Sequence, residues 1–409
     1  MAGLADAEIV VVGGGAVGAA VAYSLAKAGR TDILLVEKEG SVGAVTTAQA
    51  AGLVGQVRSS IDRIRLAMWS VATFSELERS AEAKPSWRQV GSLRIASTPE
   101  RAEEFGRMRA ACDAAGLPVE MIGAAEAERR WPGMRLGHAA AILWCPTDGY
   151  LQPYDLAASY QSEARKLGVR FALGTRVTGI RTENGAVTAV ETDKGTVRCT
   201  TVVDAAGAHA WHIAKMVGLD LPIVPVRHEY IVTVPLPGLR PDLPCYRVPD
   251  ETLYGRPDVN SLLLGGWEPN ALSADPRGYG LDGEPPPIDE DWPVLSGFVE
   301  AFTPCYPPTA EAGVRHVFRG WPTFTPDGRF IIGESRRVKG FVMAGGCNAH
   351  GVSGSAGIGR HVVEAMLDPD PSPYVRSLSP DRFTETSWDW ETARREAQHV
   401  YETYYHIGH

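Results

Sequence analysis

The segment EIVVVGGGAVGAAVAYSLAKAGRTDILLVEK, residues 8–38, leaves this chain few ways to fold. Ile9–Val12 is an apolar run of strand length, and Gly13-Gly14-Gly15-Ala16-Val17-Gly18 is a tight turn opening a helix. Ile33–Val36 is a second strand, ending in Glu37. Gly13 permits the turn, Gly15 lets the backbone approach a pyrophosphate, and Gly18 lets helix and strand pack closely. The helix start, with Ala16 and Val17 in its first turn, offers N–H groups and a positive dipole end to phosphates. Glu37, with Lys38 beside it, is placed to accept hydrogen bonds from an adenosine ribose. The segment predicts a dinucleotide site. Glutamate at 37 argues against a 2′-phosphate and leaves FAD and NAD both open.

At 409 residues the chain is long enough for two domains. Its 44% apolar and 22% charged residues match a soluble globular protein, and a net charge of -9 gives no reason to expect nucleic acid or an anionic membrane as partner. Six cysteines form no CxxC pair, which fits a reducing, cytoplasmic compartment. No cationic stretch precedes the first apolar run, so neither a signal peptide nor a membrane span is expected.

Small and polar residues follow Glu37, and Thr46, Thr47, Gln49 and Gly52 are placed to line a bound nucleotide or flavin. Apolar spacing predicts a helix over 61–79, a strand at 90–96, a helix over 99–114 and another over 120–130. A strand at 140–144 leads into the turn Pro146-Thr147-Asp148-Gly149 and a helix from Pro153. Strands beginning at Val169 and Val177, the turn Asn184-Gly185 and the strand at 187–192 form a meander. The run 201–207 returns as a parallel-type strand ending in Ala206 and Gly207, where only small side chains fit beside a nucleotide. These pieces predict a nucleotide domain assembled from separate stretches.

Beyond Gly218, prolines punctuate short strands, including a hairpin pair across 257–260. A helix is expected over 291–303. Residues 341–360, FVMAGGCNAHGVSGSAGIGR, then give a second glycine-rich strand–bend–helix, with Gly346, Gly351, Val352 and Ser353 at the bend. One such surface holds a pyrophosphate and the other closes over a flavin ring. The pairing favours FAD, because an NAD-linked dehydrogenase needs no second cap. The aromatic tail ETSWDWETARREAQHVYETYYHIGH has helical potential and little apolar surface, and is expected to pack on the body or on another subunit.

GGGAVG at 13–18, TTAQAAGLVGQ at 46–56, PTDGYLQP at 146–153, DAAG at 204–207, PVRHEY at 225–230, LLLGGWEPN at 262–270, GWPTFTPDGRFIIG at 320–333 and AGGCNAHGVSGSAGIG at 344–359 occur in this order along the chain. With them the sequence resembles the D-amino-acid oxidase and sarcosine oxidase superfamily of FAD amine oxidoreductases, most closely the flavin half of the dimethylglycine and sarcosine dehydrogenases. The resemblance implies a two-domain, discontinuous fold. An α/β Rossmann-like FAD domain would take 1–80, 145–218 and 320–370. A mainly antiparallel β-sheet with helices would form the substrate domain from 81–144 and 219–319, leaving 371–409 as a tail. Ala51 and Leu53 of the Ala-Gly-Leu motif, and Val177, join the expected cofactor contacts. Covalent members resemble this chain but carry a flavin-linked histidine where Gln49 stands, and an amide cannot form that bond. FAD is therefore expected to be noncovalent.

The implied reaction is hydride transfer to FAD from the carbon alpha to nitrogen of a small N-methyl or N-substituted amino acid. The imine is then hydrolysed, releasing formaldehyde from an N-methyl group. Oxidation of a D-amino acid or glycine, and a catalytically silent FAD-binding regulatory subunit, are the alternatives. Members of the branch continue into a folate-binding module where this sequence stops, so the product would be hydrolysed or passed to a separate subunit. Oxygen or a separate electron acceptor, and a monomer or a homo-oligomer, both remain open. His228 and Tyr254 match the two polar residues this branch places near substrate, and His350 resembles a histidine whose backbone reaches the flavin. A substrate carboxylate wants a cation, for which Arg227, Arg256, Arg315 and Arg319 are candidates. No metal is expected.

Overall fold

Four-residue strands without a single polar side chain belong between two covering layers, and Ile9–Val12 and Ile33–Val36 are buried along their whole length. In the computed structural model, which describes residues 4–283 and 285–407, they pair in parallel at the middle of a six-stranded sheet. Thr201–Asp204 and Phe341–Gly345 extend it on one side and Arg170–Ala172 on the other, all parallel, while Ile331–Glu334 closes one edge antiparallel. Alternate residues face opposite layers. Ile9, Val11 and Leu35 pack under helices including Ala16–Lys27, Ile61–Ser80 and Ser355–Leu367, while Val10, Val12 and Leu34 meet the three-stranded meander. The dinucleotide turn and the second glycine bend therefore both leave the carboxyl ends of parallel strands, on either side of Thr201–Asp204, where α/β sheets bind ligands.

The second sheet has eight strands and is antiparallel except where Cys245–Val248 runs parallel to Ser92–Ala96. Its apolar face is packed by Trp131, Tyr246 and Phe302. The helix expected over 120–130 is two elements: Glu120–Ile122 pairs as an edge strand with Ile142–Trp144, and Ala124–Arg130 alone is helical. Its short apolar run satisfies its backbone groups better on an exposed sheet edge than in another helical turn. Asn184 and Gly185 both take positive φ, as a two-residue hairpin requires. The later hairpin is tighter than its prolines suggest, because Pro257 and Asp258 stay in the ladder and Val259-Asn260 alone turns.

The C-terminal segment is not a loosely attached tail. Helix Trp390–Glu402 buries Trp390, Ala393, Ala397 and Tyr401 against Phe324, Trp267 and Val226. Among the described residues no helix is long and apolar enough to cross a membrane, and no cluster of metal-ligating side chains occurs.

Candidate active site

A cavity of about 560 Å³ runs between the two sheets. Gly13, Gly15, Ala16 and Val17 line one end with Glu37, Lys38, Val177, Ala206 and Gly207. The loop residues Thr46, Thr47, Gln49, Ala51, Gly52 and Leu53 form its flank, and His350, Gly351, Val352 and Ser353 close over it. Two expected contacts fall elsewhere. Gly18 lies behind the turn, where a Cβ would sit 1.9 Å from the Gly13 carbonyl oxygen, so it serves packing. Gly346 has φ +59 and abuts Thr325, leaving Gly345 to face the cavity.

No side chain of the Gly15 N-cap caps the first helix, and Thr47 Oγ1 accepts from the Ala16 N–H at 3.0 Å, tying the flanking loop to the helix start. The Glu37 carboxylate accepts from Gly14 N and, at 2.8 Å, from Glu39 N, and burial raises its pKa. A glycine-lined helix start, an acid at the second strand end and a second glycine bend on one continuous cavity fit the pyrophosphate, ribose and ring of FAD.

At the other end, the structure brings His228, Tyr254 and His350 into one row of rings. Tyr254 stacks beside His228 at 5.7 Å, His228 on Trp267 at 4.7 Å, Trp267 on Tyr404 at 3.8 Å, and Tyr404 beside His350 at 5.6 Å. Hydrogen bonds assign the protons. Tyr401 O–H donates to the Glu268 carboxylate, which also accepts from Arg227 at 3.3 Å. The Tyr401 oxygen therefore accepts from His228 Nδ1–H at 2.9 Å, and His228 Nε2 accepts from Tyr254 O–H at 2.6 Å. Burial drives the His228 pKa down to about 3, so the ring is neutral, as this arrangement requires. The Tyr254 oxygen keeps its lone pairs free to accept, and Tyr254 lines the cavity.

His350 follows the same logic. Its Nδ1–H donates to the Asn348 carbonyl at 2.7 Å, so Nε2 accepts from Tyr404 O–H at 2.9 Å. Burial, then the charges of Arg63 and Arg58, hold its pKa well below the ordinary value.

None of the four arginines nominated for a carboxylate lines the cavity. Arg227 pairs with Asp291, Glu268 and Glu229, Arg256 with Asp258 and the Ala51 carbonyl, and Arg319 with Glu290, while Arg315 is exposed. The cations that do face it are Arg58, Arg63, Arg94, Arg101 and Arg247, with Lys38, Arg176 and Arg329 elsewhere on its wall.

Residues 8–365 match the family described as FAD dependent oxidoreductase, DAO. The chain belongs to this family. The DAO-family match takes in both glycine surfaces, His228 and Tyr254, and identifies an enzyme whose cofactor is FAD. Mitochondrial dimethylglycine dehydrogenase of Rattus norvegicus is 30% identical over 97% of this chain and 47% of its own length. The 4-methylaminobutanoate oxidase (formaldehyde-forming) of Paenarthrobacter nicotinovorans is 28% identical over 92% of this chain and 45% of its own. This chain thus spans less than half the length of these two relatives. Among solved structures, L-proline dehydrogenase from P. horikoshii superposes with a TM-score of 0.83 over 93% of this chain and 98% of its own, at 24% identity, and so shares the DAO fold.

Sequence reasoning missed Trp267, Tyr401 and Tyr404 as well as the arginines that face the cavity. The helical stripe Trp390, Ala393, Ala397, Tyr401 was the available signal for the C-terminal group.

Proposed function

We propose that this chain oxidises a small N-methyl or N-substituted amino acid at the carbon next to nitrogen. The observation that carries the reading is the directed hydrogen-bond line Tyr254–His228–Tyr401–Glu268, which ends at the cavity-lining Tyr254 in a neutral oxygen free to accept. FAD, when bound, supplies the two-electron acceptor for the departing hydride. The chain's own task is to hold the amine in its unprotonated form with its C–H aligned. Tyr254 oxygen accepts an N–H of the substrate, and as the ammonium loses its proton the hydroxyl proton moves to His228 Nε2. His228 Nδ1–H can move in turn toward Tyr401 and Glu268, so a charge that the buried imidazole would resist is passed on. The aromatic row excludes water from the reacting carbon. Hydrolysis of the resulting iminium would release formaldehyde from an N-methyl substrate. The names of the two curated relatives support this class of substrate.

Purified protein should show an oxidised-flavin spectrum that bleaches on anaerobic addition of N-methyl amino acids. Flavin that no amine in a broad panel reduces would instead favour the silent, regulatory reading. Gln49, whose amide cannot bond to a flavin, lines the cavity at the position where the family resemblance leads one to expect a linked histidine, so this reading has the flavin held by contacts alone. Acid precipitation should leave the yellow colour in the supernatant, and flavin retained in the pellet would refute this.

A further inference from the structure

Arg94 and Arg247 are Cα partners in the parallel pair of the large sheet. Paired residues of neighbouring strands share a face. The preceding pair, Leu93 and Tyr246, lies in the apolar core, so the two arginines project to the opposite, cavity side. Each is only 8% exposed. Arg58 joins them from the flanking loop: Arg58 Nη1 and Arg94 Nη2 donate to one carbonyl, that of Val57, at 2.7 and 3.2 Å. The Arg247 guanidinium lies against Gly55, where an added Cβ would come within 2.8 Å of Nη2.

Buried charges are normally neutralised by a partner. Arg94 and Arg247 are buried and Arg58 half-buried, and among the described residues none of them pairs with a carboxylate within 4 Å. Asp148, the acid whose charge acts on both Arg94 and Arg247, is already engaged: Oδ1 accepts from Gln56 N at 2.9 Å and Gln56 Nε2 at 3.0 Å, and Oδ2 from Ser92 Oγ at 2.6 Å. Glu104 pairs with Arg101 instead. Burial and the like charges of Arg247, Arg94 and Arg63 draw the Arg58 pKa down to about 10, which still leaves it protonated at neutral pH. One carboxylate fills one guanidinium fork and supplies one charge. With Asp148 counted as a second, the cluster still lacks a negative charge.

We propose that Arg58, Arg94 and Arg247 form a receptor for two carboxylates, so that the preferred amine is an N-substituted amino dicarboxylic acid rather than sarcosine or dimethylglycine. This rests on the amine-oxidation reading for its chemistry, but the binding site can be tested without turnover.

Holoenzyme titrated with unreactive succinate or glutarate, at fixed ionic strength, should show a perturbed flavin absorbance with affinity about tenfold or more above that for acetate or butyrate. Arg94→Met and Arg247→Met should each remove most of that preference while retaining FAD, with Arg247→Lys in between because it keeps charge and loses the fork. Equal affinity for mono- and dicarboxylates overturns the proposal, as do variants that weaken both alike. Anaerobic flavin reduction by N-methylaspartate or N-methylglutamate should likewise exceed that by sarcosine about tenfold or more in rate over dissociation constant. If dicarboxylates bind preferentially and no amine reduces the flavin, the receptor stands and amine oxidation fails. If sarcosine matches the dicarboxylates in both binding and rate, the receptor fails and amine oxidation stands.

Discussion

Tyr254→Phe should slow anaerobic flavin reduction by about 10²–10³-fold without changing the FAD content, as stopped-flow absorbance would show. The ring remains, so the stack on His228 persists, and what is lost is one oxygen with a fixed proton direction. With phenylalanine the substrate nitrogen faces no acceptor, and His228 Nε2 is left buried without its donor. The pH dependence separates this role from mere packing. Because burial holds His228 at about 3, against 6.5 for an ordinary histidine, it does not titrate between pH 5 and 9. The wild-type rate should rise with pH toward the substrate's own ammonium pKa, with no inflection near 6.5. In the variant the limb should keep its position and the plateau should fall. Glu268→Gln checks the direction of the line without touching substrate. An amide nitrogen can donate to Tyr401, which lets the chain run in reverse and present the Tyr254 O–H, not its lone pair, to the cavity. Wild-type reduction rates in Tyr254→Phe would remove the tyrosine from the mechanism.

What could be read in the sequence was what is local. The turn at 13–18, the acid at 37 and the Asn184-Gly185 hairpin each depend on neighbours within one or two elements, so residue order nearly determines them. His228 and Tyr254 came from resemblance, and the structure adds that they touch, at 2.6 Å. Arg94 and Arg247 could not be found in that way. Each is a lone arginine on an apolar strand, and only the parallel pairing of two distant strands sets them side by side. The rejected arginines failed for the converse reason: Arg227 sits beside the right histidine in sequence, but its buried neighbours Glu229 and Glu268 claim it. The C-terminal helix is polar on average, yet its narrow apolar stripe is enough to seat Tyr401 under His228, and Tyr404, just past the helix end, stacks on Trp267.

Gly18→Ala should yield protein with at least about a tenfold lower flavin-to-protein ratio. The added methyl would lie 1.9 Å from the Gly13 carbonyl oxygen, a backbone atom with no rotamer to escape through. Gly13 cannot yield either, since it is held at φ +103 with its own Cα face against the Ala205 carbonyl, which a Cβ would approach to 2.5 Å. Helix and strand must therefore separate, which moves the Gly14 N–H off Glu37 and the Ala16 N–H off Thr47 together. The cost of such overpacking is about 1–3 kcal/mol or more in the apoprotein alone. Because bound FAD itself raises the melting temperature by mass action, the comparison is made between apo forms. Gly106→Ala is the control: it lies at an exposed position of helix Pro99–Ala115 with nothing within 4 Å of its added Cβ, and should keep FAD and gain up to about 1 kcal/mol from helix propensity. An apo Gly18→Ala protein that melts with the wild type and binds FAD stoichiometrically would mean that the turn can open without cost, and the close helix–strand contact would then have no part in shaping the cofactor site.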